Sequence, residues 1–121
     1  MKELIDSYIK FLKDNIVLNQ VGEYTSVITP FLNKHNDCIK FYIKKTENGE
    51  IYITDNGDII DDLKSYGTYF SFDMLRTILT TYHLQINDNE EFFTKTSIQN
   101  FPHAIHLFIQ AIIFINNNAY E

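Results

Sequence analysis

Residues 38–54 constrain the fold of this chain more than any other stretch. From Cys38 to Lys45 the side chains alternate, with Ile39, Phe41 and Ile43 on one side and Lys40, Tyr42 and Lys44 on the other. A period of two is the signature of a half-buried strand. Asn48-Gly49 follows, and both residues tolerate the positive φ that a tight hairpin turn demands. The return strand spans 50–54, where Ile51 and Ile53 alternate with Tyr52. An antiparallel hairpin with one apolar face therefore sits near the middle of the chain, and that face must be covered.

The flanking segments supply the cover. Tyr24 to Thr29 is rich in β-branched residues and runs into Pro30, which predicts a third strand of the same meander, stopped at the proline. Ahead of it, Ile5, Tyr8, Ile9, Leu12 and Ile16 recur at helical spacing. They predict an amphipathic helix over 2–18 that packs on a core through one face, in a segment ended by Gly22. After the hairpin, Asp55 or Asn56 caps a short helix over 58–66, with Asp58 in its first turn and Gly67 behind it. A helix over 72–83 begins after Ser71. Residues 84–97 are ambiguous: Gln85-Ile86 and 91–96 can pair as a small extra hairpin across 87–89. The last helix, 101–116, carries Pro102 near its first turn and is apolar almost all round, apart from a stripe of His103, His106, Gln110 and Asn117. A helix of that kind is the buried centre of a domain or an interface for another chain. The expectation is a single α+β domain over 1–121, a three-stranded antiparallel meander with helices packed on one face.

Charge is distributed unevenly. The formal net charge is −6, and Glu47, Glu50, Asp55, Asp58, Asp61 and Asp62 fall within 46–63 without a single Lys or Arg. The rest of the chain is balanced. An acidic chain is a poor match for free DNA or an anionic membrane. No apolar run reaches the roughly 20 residues that cross a bilayer, and Met1-Lys2-Glu3 opens no signal peptide. The single cysteine, Cys38, forms no internal disulfide and fits a reducing cytosol.

Several groups of residues suggest chemistry. Asp55-Asn56-Gly57-Asp58 with Asp61 and Asp62 is rich in the oxygens that hard cations prefer, but the spacing is not that of an EF-hand loop. Helix capping and the helix dipole account for Asp55 and Asp58 without a ligand. His103-x-x-His106 puts two imidazoles on one helical face; a third zinc ligand would have to come from His35, Asp37 or Cys38, and nothing in the sequence brings these together. Cys38 has no glycine elbow or oxyanion loop around it and reads as a small buried or edge thiol. Lys40, Lys44 and Lys45 with Tyr42 interleave base and aromatic as nucleic-acid-binding strands do, yet on an acidic chain they read as a solvated face or a guarded edge. No metal, no cofactor and no direct nucleic-acid contact is expected.

The ordered pieces Ile28 to Asp37, Ile39 to Ile43, Tyr52 to Gly57 and Asp61-Asp62-Leu63 resemble the bacterial and phage domain of unknown function 1828, over about residues 24–66. Phe101-Pro102 and the helix behind it fit more loosely. His35, Asn36, Asp37, Thr54, Asp55 and Gly57 match the motif; Asn33 stands where many relatives are expected to carry an acid. The family brings no established activity. The resemblance implies a gene carried by phages and mobile elements of bacteria.

The charge favours a non-enzymatic binding protein, and the resemblance implies an accessory protein acting in the cytoplasm of a bacterial host. Its Glu47, Glu50, Asp55, Asp58, Asp61 and Asp62 would engage a basic surface on a host protein. An inhibitor of a nucleic-acid-acting defence complex, of anti-CRISPR or anti-restriction type, is the specific form of that reading. One alternative is a small metal-dependent enzyme with His35, Asp37 and Asp55 converging at one end of the sheet. Another is an oligomeric interaction or regulatory module, a homodimer through the C-terminal helix.

Overall fold

The computed structural model describes residues 1–119. Its strands are β1 (Val17–Val21), β2 (Tyr24–Leu32), β3 (Cys38–Lys45), β4 (Ile51–Thr54), β5 (Gln85–Ile86) and β6 (Phe92–Thr96). Its helices are α1 (Lys2–Asp14), α2 (Asp58–Ser65), α3 (Phe72–Thr81) and α4 (Phe101–Asn118). The six strands form one antiparallel sheet in the order β1-β2-β3-β4-β6-β5.

The central hairpin forms as its alternation requires, with Tyr42 opposite Thr54 and Lys45 opposite Ile51, and with Gly49 at φ 79° in the turn. The three-stranded meander is nonetheless only half of the sheet. The hairpin within 84–97 is real, and it is stitched into the main sheet: β6 lies beside β4, pairing Ile53 with Thr94 and Thr54 with Phe93. Pro30 does not stop β2. The β2–β3 ladder shifts register between Ile28 and Leu32, so no ladder bond is asked of the missing proline N–H and the strand continues to Leu32.

One face of the sheet carries the core. Val27, Ile39, Phe41, Ile53 and Phe92 are buried against Ile59 and Leu63 of α2, Ile78 of α3, and Phe108, Ala111, Ile112 and Ile115 of α4. The apolar C-terminal helix is thus the buried centre, and none of its large apolar side chains is among the exposed ones.

The amino-terminal segment departs most from its sequence reading. The helix stops at Asp14, buries no residue, and is followed by a strand where the helix was expected to continue to 18. Gly22 is not a helix stop. It occupies the first turn position of the β1–β2 hairpin at φ 63°, between the paired residues Val21 and Tyr24. The apolar stripe that predicted packing on this chain's own core instead faces outward.

The other face of the sheet is a ladder of aromatics and lysines. Lys44 lies over the rings of Tyr24 and Tyr52, 4.8 and 5.5 Å from their centroids, and its ammonium pairs with Glu23 at 3.0 Å. Lys40 covers Tyr42 at 5.2 Å, and Tyr52 stacks on Phe93. Of the three lysines that could have contacted nucleic acid, Lys40 and Lys44 lie over this chain's own rings, and Lys44 also pairs with a carboxylate.

Candidate functional site

At the end of the sheet where β4 leaves for α2, a cleft of about 210 Å³ opens between the β2–β3 loop, α2 and the last turns of α4. Its floor is apolar, made by Ile39, Ile59, Leu63, Ile112 and Ile115; its rim carries His35, Lys40, Asp58, Asp62 and Tyr66.

Each wall is set locally. In the β2–β3 loop the side-chain oxygen of Asn33 accepts the backbone N–H groups of His35 at 2.8 Å and Asp37 at 3.1 Å, while the Asn33 N–H donates to the Asp37 carbonyl at 2.9 Å. Asn36 takes φ 64°, a left-handed value that asparagine tolerates. This self-bonded loop sets His35 flat on Tyr66, ring centroids 3.8 Å apart and planes 11° from parallel. The role of Asn33 needs only an acceptor oxygen, which aspartate also supplies; a charge there is not required.

Thr54, Asp55 and Gly57 lock the opposite wall. The Asp55 carboxylate accepts the N–H groups of Phe92 at 2.8 Å, Ile59 at 2.9 Å and Gly57 at 3.1 Å. The Thr54 hydroxyl donates to the Phe92 carbonyl at 3.0 Å and accepts the Asn56 N–H. Asn56 and Gly57 both have positive φ, 59° and 84°, and turn the chain from β4 into α2. Asp55 is 1% exposed. Burial pushes its carboxyl up to about 6 despite the three N–H donors. Asp55 is therefore a buried fastener of β4, β6 and α2, and not part of an outward anionic surface.

The other predicted acids divide. Asp58, Asp61 and Asp62 share one end of the molecule on α2. Glu47 and Glu50 flank the β3–β4 turn at the far end of β4, beyond four residues that rise about 13 Å. The six carboxylates do not make one ridge. Asp58 and Asp62 are both shifted upward. For Asp58 burial is the main cause, joined by repulsion from Asp62 and Asp61 and opposed by Lys40 and the Tyr42 hydroxyl, which donates at 3.4 Å. For Asp62 burial again leads, followed by repulsion from Asp37 and Asp61, with the His35 imidazole opposing. None of the ion pairs among the described residues includes Asp58, Asp61 or Asp62.

Of the triad His35, Asp37 and Asp55, the first and last line the cleft, while Asp37 is exposed outside its lining. Among the described residues, no three His, Cys, Asp or Glu side chains gather as a metal ion requires. His103 and His106 are exposed on α4, and Cys38 is exposed at the start of β3. Sequence reasoning missed Lys40 and Tyr66 as site residues. Tyr66 was within reach, since Asp58, Asp62 and Tyr66 fall four residues apart on one helical face. The α4 contribution had no local signal.

No curated protein and no solved structure matches the chain. Residues 29–115, which include both walls of the cleft and its α4 floor, match the profile described as Domain of unknown function DUF1828, and the chain belongs to that family.

Proposed function

We propose that this is a non-enzymatic binding protein whose cleft receives a basic side chain, an arginine, from the surface of a protein partner. One observation carries the reading: Asp58 and Asp62 face the same cleft, both are destabilised as anions, and neither is in an ion pair among the described residues. A cation placed beside them offsets the burial and like-charge repulsion that disfavour the two anions. The apolar floor suits the methylene stem of arginine, and the Tyr66–His35 stack offers its planar head a ring face. In its specific form, the partner is a host protein with a basic groove, such as a nucleic-acid-acting defence complex. The chain is then an inhibitor encoded by a phage or mobile element, acting in the cytoplasm of the host.

The test is calorimetric titration with an arginine-rich peptide and a lysine-rich peptide of equal charge. Binding is expected to prefer arginine, to weaken with salt, and to fall at least tenfold in Asp58→Asn/Asp62→Asn. Equal affinity for both peptides, or no effect of the double substitution, overturns the proposal.

A second reading, catalysis, draws on one observation, that His35, Asp55 and Asp62 line one cleft. Asp55 spends its oxygens on three backbone N–H groups, so Asp62 would take the carboxylate role beside His35.

A further inference from the structure

The last turns of α4 floor the acidic cleft, and its first turn borders a second one. This cleft, of about 350 Å³, lies between the end of α3, β6 and the start of α4, and shares no lining residue with the first. Its lining has the opposite character. His83, Lys95 and His103 contribute to it, and no Asp or Glu among the described residues does.

Three donors there lack an acceptor. The first is Thr96, 7% exposed, whose buried hydroxyl has no hydrogen-bond partner among the described residues. Leaving such a group unanswered is costly, and binding that answers it removes the cost. The second is the His103 backbone N–H. In the first turn of α4 the Phe101 N–H donates to the Ile98 carbonyl and the Ala104 N–H to the Asn100 carbonyl, while Pro102 has none to give. His103 is left as the free donor at the positive end of an eighteen-residue helix that starts without a side-chain cap or an acid in its first turn. The third is the Lys95 backbone N–H. Phe92 and Asp55 bond across the β4–β6 ladder, so Thr94 and Thr96 also turn their peptides toward β4, and Lys95 turns its own the other way. No strand receives it, because the β5–β6 ladder stops at Gln85 opposite Phe93.

The exposed imidazoles of His83 and His103 stand at the mouth, and each carries an N–H in either protonation state. A single water answers one or two of these donors. Donors converging from several elements, with no carboxylate to oppose them, match a group with several anionic oxygens. Tyr82, Ala104 and Leu107 add an apolar wall, and the volume exceeds what a bare phosphate fills.

We infer that this cleft binds the phosphate group of a small monoester, whose organic part lies against Tyr82, Ala104 and Leu107. Thr96, Lys95 and His103 hold the phosphate oxygens.

Amide NMR titration of the full chain at neutral pH, with phenyl phosphate, inorganic phosphate and phenol as probes, tests this. Millimolar phenyl phosphate is expected to give saturable shifts centred on the Lys95 and His103 amides. Inorganic phosphate is expected to bind at least threefold more weakly, and phenol to give no saturable shift. Thr96→Val removes an unanswered hydroxyl, so it is expected to keep or raise the urea midpoint while weakening phenyl phosphate at least fivefold. His103→Ala, at an exposed position, is expected to weaken it at least threefold. Asp58→Asn/Asp62→Asn, in the other cleft, is expected to leave it unchanged. Absence of saturable shifts, shifts centred elsewhere, or unchanged affinity in either cleft variant overturns the inference. So does inorganic phosphate or phenol binding as tightly as phenyl phosphate. A lowered urea midpoint in Thr96→Val would show that the fold itself answers the hydroxyl, with the same consequence.

Discussion

The carboxylate of Asp55 accepts the backbone N–H of Phe92 at 2.8 Å, joining the end of β4 to the start of β6 across 37 residues of chain. The same carboxylate holds the first turn of α2 through Ile59. One side chain thus ties the end of the β4–β6 ladder to the first turn of the acidic helix.

Asp55→Ala strands three N–H groups at a buried position, and a loss of about 3 kcal/mol or more is expected. Asp55→Asn keeps one acceptor oxygen and turns an amide toward a donor, and is expected to cost about half as much. Urea unfolding measures both; equal stability of Asp55→Ala and wild type would refute the fastening role.

The pH dependence has a defined sign. Asp55 titrates near 6 in the fold against 3.8 as its ordinary value, and Asp58 and Asp62 are shifted the same way. The folded chain holds protons that the unfolded chain has released, so unfolding releases them. Stability is expected to fall as pH rises from about 4 to about 6 and then to level, with Asp55 contributing roughly 3 kcal/mol of the change at most. The urea midpoint at pH 4, 5, 6 and 7 checks this; a midpoint that rises across the window contradicts it.

Asn33 organises the His35 loop as an acceptor only. Asn33→Asp is expected to lie within about 0.5 kcal/mol of wild type, and Asn33→Ala to lose about 1 kcal/mol. Thermal unfolding separates the two, and equal losses would show that the acceptor oxygen is not what matters.

His35 and Tyr66 are stacked at 3.8 Å across the mouth of the cleft. A double-mutant cycle of His35→Ala and Tyr66→Ala is expected to show a coupling of about 0.5–1.5 kcal/mol. Additive effects would mean that the rings meet without holding each other.

Asp58→Asn and Asp62→Asn remove repulsion as well as charge. Each is expected to leave stability at pH 7 unchanged or raised by a few tenths of a kcal/mol while reducing affinity for an arginine-rich peptide. Loss of both stability and binding would assign these carboxylates to the scaffold.

What could be read from the sequence follows how local each signal is. The β3–β4 hairpin was legible because alternation and Asn48-Gly49 act on adjacent residues. The helices after it were legible through their apolar period and, for α3, the Ser71 cap. Helix α2 is not capped by Asp55 or Asn56 as expected but starts at Gly57 in a left-handed conformation without a side-chain cap. Asp55 is buried and reaches past the N-cap to the Ile59 N–H. The end of α1 was not: Ile16 continues the helical stripe, and a glycine after an apolar run marks a helix stop or a hairpin turn equally well. His35, Asp58 and Asp62 could be named as site residues, yet the acids were grouped by nearness in sequence, which put Glu47 and Glu50 with them. A strand separates its two ends, and β4 carries those acids away.

The chain by itself determines an α+β domain, its central hairpin, its apolar last helix and the excess of acid between 46 and 63, since composition and short-range periodicity suffice for these. Only the tertiary structure decides that Asp55 turns inward, that β6 sits beside β4, and that α4 floors a cleft rimmed by His35, Asp58, Asp62 and Tyr66. Those outcomes rest on contacts between residues tens of positions apart, whose free energy comes from burial and hydrogen bonding that no local window contains.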